Sequence, residues 1–380
     1  MDKFLIKSLS NADIENEIIS VGYDKSYAFK GADKFRYRNF KIFGVSCAQA
    51  NILKQLALSV GADCATNKDV ITAKAEKSDC ILGGNFSQLR LISQKLQLQP
   101  FGLKELGKLL QSQLVMLSKT RTKIVGVLNL TTDSFSDGGK YFQFEDAICH
   151  LKELIADGAD IIDIGAESTK PYSHGVSADK QLEKIIPVLE YIKGNGLTIP
   201  VSIDTRSCEV ALECIKYGAD IINDVSGLDF DENMADVVAN NPDVKIIIQH
   251  SKGTPENMQD SPVYANLMDE IFISLKQKTD LALSKGIKSE NIIIDPGIGF
   301  GKSREDNFEI LDRWQEFRSL GYPVMIGLSR KSLLGMSEAS NEQKDIYSLA
   351  LGSVLINDGV DYLRVHNVKL HKNFCRMINL

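Results

Sequence analysis

The nine residues Asp157-Gly158-Ala159-Asp160-Ile161-Ile162-Asp163-Ile164-Gly165 return sixty positions later as Tyr217-Gly218-Ala219-Asp220-Ile221-Ile222-Asn223-Asp224-Val225. Each copy has a glycine suited to stopping a helix, then an acidic residue, then a β-branched run that ends in polar side chains. Near-continuous apolar runs of this length are what parallel strands buried on both faces require. Working outward, the same cadence predicts strands over 124–129, 160–165, 201–205, 220–225, 244–250, 292–297, 324–329 and 361–366. Between them, apolar residues at helical spacing predict helices over 145–157, 181–193, 209–217, 268–285, 308–320 and 346–357. Eight β-α repeats in this length fit a (β/α)8 TIM barrel better than an open doubly wound sheet.

The 380 residues are 43% hydrophobic and 25% charged, an ordinary globular balance that excludes a collagen-like or disordered chain. No apolar run approaches the roughly 20 residues that span a bilayer, so no membrane association is expected. The opening MDKFLIKSLSNADIENEI meets acidic residues too early for a secretory signal. Seven cysteines form no C-x-x-C pair and read as free thiols of a reducing, cytoplasmic compartment.

The formal charge of −6 is uneven. Residues 1–120 hold 17 Lys/Arg against 11 Asp/Glu, whereas the remainder is acidic, which argues for two units. The basic Lys34-Phe35-Arg36-Tyr37-Arg38 is short, and an acidic chain is a poor polyanion binder, so no nucleic-acid partner is expected. The domain boundary is placed between Gln111 and Thr122, giving a small α/β extension over 1–118 and a barrel over 119–380. In the extension, strands are predicted at 40–45 and 80–82 and helices at 49–60, 86–96 and 103–114. Gly83-Gly84 is its one hint of a ligand loop; a structural or assembly role is the better reading.

Almost every barrel run ends in a functional side chain: Asn129, Asp163, Asp204, Asn223 with Asp224, His250, Asp295, Ser329, then Arg364 with His366. Taken singly, each could be a turn-former or cap. In a barrel they converge on the mouth where active sites form. Asp204, Asn223 and Asp295 suit a flat heterocycle with an amino-pyrimidinone edge. A separate cationic set, Lys331, Arg364 and His366, suits a phosphate or pyrophosphate. Asn129 could give a neutral oxygen to a magnesium ion otherwise held by water and phosphate. The glycines of Asp295-Pro296-Gly297-Ile298-Gly299-Phe300-Gly301-Lys302 lack Walker spacing and would let backbone and Phe300 approach a planar ligand. The polar loops after the first two strands, 130–139 and 166–171, look able to close over substrate.

In VLNLTTDSFSDGG, ADIIDIGAESTKP, VSIDT, GADIINDVSG, IIIQHSKGTP, IIIDPGIGFGK, IGLSRKS and LRVHNV, in that order, the chain resembles dihydropteroate synthase over residues 122–370. The resemblance implies a pterin-binding TIM barrel, a transferase of folate biosynthesis and a sulfonamide target. Such an enzyme joins 6-hydroxymethyl-7,8-dihydropterin pyrophosphate to 4-aminobenzoate with help from Mg2+ and works as a homodimer through late barrel helices. It implies a pterin pocket of Asp204, Asn223, Asp295 and Lys331, with Gln249 near its floor. It implies a pyrophosphate and magnesium site of Asn129, Arg364 and His366. Thr169, Lys170, Pro171, Phe300 and Ser332 would surround the aminobenzoate, with Phe135 and Asp133 closing over it. Asp133, Lys331, Arg364 and His366 would carry the catalysis. Departures are Thr132 for a usual proline, Lys170 for a usual arginine, and Asn367 where aspartate is common. Members of the family usually begin just before the strand at 124, so the extension is unusual. The competing readings are a pterin-dependent methyltransferase, which does not need the anion site, and a non-catalytic pterin-binding protein.

Overall fold

The computed structural model describes residues 4–9, 13–114, 121–131, 144–167, 175–253, 263–331 and 339–378. The chain divides into two compact units, Met1–Ser118 and Lys119–Leu380.

The first unit opens with helices α1 (Ile14–Ser20) and α2 (Ala28–Ala32). There follow β1 (Tyr37–Ser46), α3 (Cys47–Leu58), β2 (Asp63–Thr66), β3 (Lys77–Asn85), α4 (Phe86–Leu96) and α5 (Leu103–Gln113). Strand β3 lies in the middle of an antiparallel sheet, with β1 and β2 on either side. Two strands run straight into helices because their last residues are caps. Ser46 with Gln49, and Asn85 with Gln88, each form a capping box that satisfies the first helical N–H groups. Leu53, Leu82, Leu89, Ile92 and Leu96 make the unit's core. Strand β2 was not foreseen, since DCAT is too short to show alternation. The Gly83-Gly84 pair lies inside β3 and forms no loop. A Cβ on Gly83 would stand 2.5 Å from Asn39 Oδ1 and 2.6 Å from the Tyr37 hydroxyl, so close cross-strand packing accounts for that glycine.

The second unit repeats strand and helix. Its strands are β4 (Lys123–Asn129), β5 (Ile161–Gly165), β6 (Val201–Asp204), β7 (Ile221–Asp224), β8 (Lys245–Gln249), β9 (Ile292–Asp295), β10 (Met325–Gly327) and β11 (Tyr362–Val365). Its helices are α6 (Phe144–Ala156), α7 (Ala178–Gly194), α8 (Cys208–Lys216), α9 (Met234–Ala239), α10 (Leu267–Ser284), α11 (Arg304–Arg313), α12 (Asn341–Asn357) and α13 (Val368–Ile378). The strands pair in parallel in the order β10-β11-β4-β5-β6-β7-β8-β9, and the bridge Ile294–Val324 joins the two ends. The expected eight-stranded TIM barrel is therefore present. The helix predicted over 308–320 is two pieces, α11 and a 3-10 turn over Trp314–Leu320. Helix α12 starts five residues earlier than its apolar pattern, because Ser340 and Gln343 form a capping box.

The strand pleat sorts the side chains. Val125, Ile161, Ile221, Ile247, Ile293, Met325 and Tyr362 form a small cluster of their own inside the ring. Their sequence neighbours, such as Ile124, Ile162, Ile222, Ile246, Ile292 and Leu363, join the large core between strands and helices. With a period of two, the next inward positions are Val127, Asp163, Asn223, Gln249, Asp295, Gly327 and Arg364. The ring interior thus changes from apolar floor to polar layer in one pleat.

The repeated acidic residue works at the opposite end. Asp160 accepts the backbone N–H of Ile124 at 2.7 Å, Asp220 that of Val201 at 2.8 Å, and Asp361 that of Val324 at 2.9 Å. Each carboxylate stands at the start of one strand and satisfies a donor on the strand before it, where no ladder partner remains. Asp361 also pairs with Arg318 at 2.9 Å, and Asp160 with Lys372.

Candidate active site at the barrel mouth

The polar layer is a network rather than two separate sets. Arg364 Nε donates to Asp163 Oδ2 at 2.6 Å, and its Nη2 donates to Asp204 Oδ2 at 2.7 Å. Asn223 Nδ2 donates to the same Asp163 oxygen at 3.3 Å. The sequence had put Arg364 with an anion and Asp204 with a heterocycle. The pleat brings them into contact because β11 and β6 both turn these positions inward. Asp163 was read only as one strand end among eight, yet it ties Arg364 to Asn223. Its Oδ1 and Asn223 Oδ1 are buried without a hydrogen-bond partner among the described residues.

Burial pushes the Asp204 carboxyl up to about 7, against the pull of Arg364, and Asp163 adds to the rise. Burial also raises Asp295, which Lys331 opposes; Asp295 Oδ1 accepts Gly297 N–H at 2.7 Å. For Arg364, burial works against the charge, but Asp163 and Asp204 outweigh it and hold the guanidinium above its ordinary value. Lys331 is brought down to about 8 by burial, with Asp295 resisting. Its ammonium donates to Ile298 O and lies 4.3 Å from the centre of the Phe300 ring, a cation–π contact. His366 differs from its expected cationic role. Burial, then Arg330 and Arg364, drive it down to about 3, so it is neutral at physiological pH in this structure. Its Nδ1 lies 3.1 Å from Ser329 Oγ. Gln249 Nε2 donates to Val225 O at 3.1 Å, which turns the amide along the layer.

The loop after β9 is held from within. Lys302 is buried, and its ammonium reaches Gly297 O at 2.9 Å, Phe300 O at 3.0 Å, His250 O at 3.3 Å and His250 Nδ1 at 3.0 Å. Burial and the Lys302 charge force His250 down to about 2, so the ring is neutral and can accept that hydrogen bond. Sequence reading passed over Lys302 as a loop residue; its signal was a lysine ending a glycine-rich turn. Burial lowers Lys302 to about 7, opposed by Asp295. Its folded value lies below the unfolded 10.5, so the unfolded chain keeps this proton from about pH 7 to 10.5 while the folded chain gives it up. Stability from this group therefore rises with pH across that window. Against a Lys302→Met variant, the native chain should gain relative stability between pH 7 and 10 in denaturant titrations. A difference that does not change with pH would contradict the buried ammonium.

Asn129 ends β4 with a side chain that has no hydrogen-bond partner among the described residues. No group of three His, Cys, Asp or Glu that could hold a metal occurs among the described residues. A single neutral oxygen beside an anion site does fit magnesium, which keeps several waters and binds through substrate phosphates. Asp133, Phe135, Thr169, Lys170, Pro171 and Ser332, with Thr132, lie outside the described residues. The structure brings together Asp204, Asn223, Asp295, Lys331, Phe300, Arg364 and, through Ser329, His366.

Residues 125–366 match the family model of the pterin binding enzymes. A dihydropteroate synthase of Clostridium beijerinckii is 40% identical over 262 residues, 68% of this chain and 94% of that protein. A probable bifunctional folylpolyglutamate synthase/dihydropteroate synthase of Halobacterium salinarum is 36% identical over 334 residues. That match takes in 85% of this chain, so it runs into the first unit, while the chain spans only 40% of the halobacterial protein. Among solved structures, the Clostridium difficile dihydropteroate synthase crystallised in the presence of pteroic acid aligns with a TM-score of 0.63 and 40% identity, covering 70% of this chain and 98% of that one. The Yersinia pestis dihydropteroate synthase in complex with a sulfonamide drug aligns with a TM-score of 0.65 and 32% identity, covering 70% and 96%.

Proposed function

The chain belongs to the dihydropteroate synthase family of pterin-binding enzymes, transferases of folate synthesis, and from that premise we propose how its barrel mouth performs the transfer. The substrates are 6-hydroxymethyl-7,8-dihydropterin pyrophosphate and 4-aminobenzoate; the products are 7,8-dihydropteroate and pyrophosphate. One observation carries the reading: Arg364 is gripped by Asp163 and Asp204 in an inward layer that also holds Asn223 and Asp295.

Asp204, Asn223 and Asp295 offer the acceptors and donors that a 2-amino-4-oxo pterin edge requires, with Gln249 at the floor. Lys331 over Phe300 supports one face of the ring. Arg364 and the neutral His366 receive the pyrophosphate, whose negative charge grows as it leaves the methylene carbon. The C–O bond breaks with its electron pair going to pyrophosphate, and the arylamine nitrogen forms the new C–N bond and gives up a proton. No enzyme nucleophile is needed. Magnesium, when bound beside Asn129, would supply further charge neutralisation at the phosphates. Thr169, Lys170, Pro171, Phe300 and Ser332 receive the aminobenzoate, and Asp133 and Phe135 close over it.

A pure pterin binder has no use for a guanidinium shared between two buried acids at a strand end, which favours the transferase. The test mixes purified chain, pterin pyrophosphate, magnesium and 4-aminobenzoate and follows dihydropteroate. Calorimetry adds a second reading: pterin should bind more tightly when pyrophosphate and magnesium are present. Absence of product would end the proposal.

No helix among the described residues is long and apolar enough to cross a membrane, and we place the chain in the cytoplasm as a homodimer. Ile346 and Val354, both more than half exposed, stand two turns apart on α12 and suit a second copy of the chain. Light scattering on the eluting protein should give twice the chain mass.

A further inference from the structure

Ser329, Arg330 and Lys331 leave the end of β10 in succession, and each is tied to a different place. Ser329 Oγ accepts the His366 N–H at 3.2 Å. Lys331 reaches the other way, to Ile298 O and the Phe300 ring. Between them Arg330 adopts φ +58°, a left-handed conformation that costs a non-glycine residue roughly 1–3 kcal/mol. Such a residue persists only where its surroundings hold it.

They do so through α12. Arg330 Nε and Nη2 donate to the two oxygens of Asp345 at 2.7 Å each, a bidentate pair, and Arg330 N–H donates to Ser348 Oγ at 3.3 Å. Asp345 Oδ2 also receives Asn367 Nδ2 at 3.4 Å. Asn367 follows His366 directly, and its own Oδ1 accepts Leu370 N–H at the start of α13. One buried carboxylate thus grips the residue before Lys331 and the residue after His366. Burial by itself would raise this carboxyl; the Arg330 hydrogen bond and charge outweigh that and hold it below the usual carboxylate range, so it is ionised at neutral pH.

We propose that Asp345 is a positioning residue for the transfer: from α12 it fixes Arg330 in its left-handed turn and Asn367 beside it, and so sets where Lys331 and His366 stand in the mouth. It touches no reacting atom. The inference rests on the function proposed above and deepens it. Loss of an ordinary stabilising ion pair would lower the melting temperature and leave ligand affinity alone. A positioning residue changes how the anion is held, because misplacements of about 1 Å are costly at a reacting site.

The test compares the native chain with Asp345→Asn, which keeps the shape and removes the charge, and with Asp345→Asn/Asn367→Asp, which returns a carboxylate to the neighbouring position. Calorimetry reads the Kd for pyrophosphate, steady-state kinetics read kcat and KM for the pterin substrate, and a thermal melt reads folding. The expected result is pyrophosphate bound about tenfold more weakly by the single variant, a similar fall in kcat/KM, and recovery of most of both in the double variant. Affinity and kcat/KM within twofold of native, with only the melt lowered, would overturn it; so would a double variant no better than the single one. If the single variant does not fold, a folded double variant decides: near-native pyrophosphate affinity supports the proposal, and tenfold weaker affinity overturns it. A native chain that binds no pyrophosphate also overturns it. A native chain that makes no dihydropteroate yet loses pyrophosphate affinity on Asp345→Asn would remove the function and keep the positioning role.

Discussion

An Arg364→Met chain is expected to lose about 10²–10³-fold in kcat/KM, the usual consequence of deleting a charge aimed at a developing anion. It should also lose stability, about 3–5 kcal/mol, because two carboxylates are left buried without their cation. The two losses have one source. Asp163 is fully buried and Asp204 nearly so, and Arg364 donates to both. Methionine fills much of the same volume, so the experiment removes charge more than packing. Kinetics and denaturant unfolding on the same preparation check it. Native-like stability would mean that Asp163 and Asp204 find another way to tolerate burial, and the network would not be what holds the layer. At low pH the stability deficit should shrink, since burial already pushes Asp204 up to about 7 and a protonated acid no longer needs the guanidinium.

The second large effect belongs to a methyl group. In Gly297→Ala, the added Cβ would stand 1.9 Å from His250 O, in a residue whose φ is +71°. Neither backbone segment can give way cheaply, because Lys302 ties Gly297 O and His250 O to one ammonium. A cost of about 3–5 kcal/mol, or a displaced loop and lost turnover, is expected from the clash and the backbone strain together. Gly196→Ala is the control. Its φ is +64° with nothing within 4 Å, so only the conformational penalty of about 1–2 kcal/mol remains. Equal effects of the two substitutions in a denaturant titration would show that strain, not contact, makes glycine necessary at 297.

The barrel was legible because its signal is local. A glycine and an acid precede the apolar run of β5, β7 and β11, and the other strands keep a largely apolar run of their own because both faces are buried. The mouth was legible as a set of strand tips, since side chains there have no packing reason to be polar. What stayed hidden depends on which side of the strand a residue takes and on partners far along the chain. Asp163 stands one pleat below the tip Gly165, and nothing in IIDIG says that its carboxylate meets Arg364, 201 positions away. Lys302 owes its role to four acceptors that only the folded loop assembles. Asp345 sits on α12, one residue before the helix the apolar pattern predicts, and its burial and its pairing with Arg330 appear only in the fold. The homologous match extending into the first unit was likewise invisible in composition, which offered only a small α/β domain.

The two unfilled oxygens on Asp163 and Asn223 have a bearing on selectivity. Each is an acceptor closed off from solvent, so on the function proposed above only a ring that reaches this edge with N–H groups would meet their lone pairs. An isosteric ring with carbonyl oxygens there would set lone pair against lone pair in a place water cannot soften, and rejection of such look-alikes can reach factors of about 10⁴ where binding groups go unmatched. On that reading, discrimination among similar flat molecules rests on two acceptors whose places the strand pleat fixes.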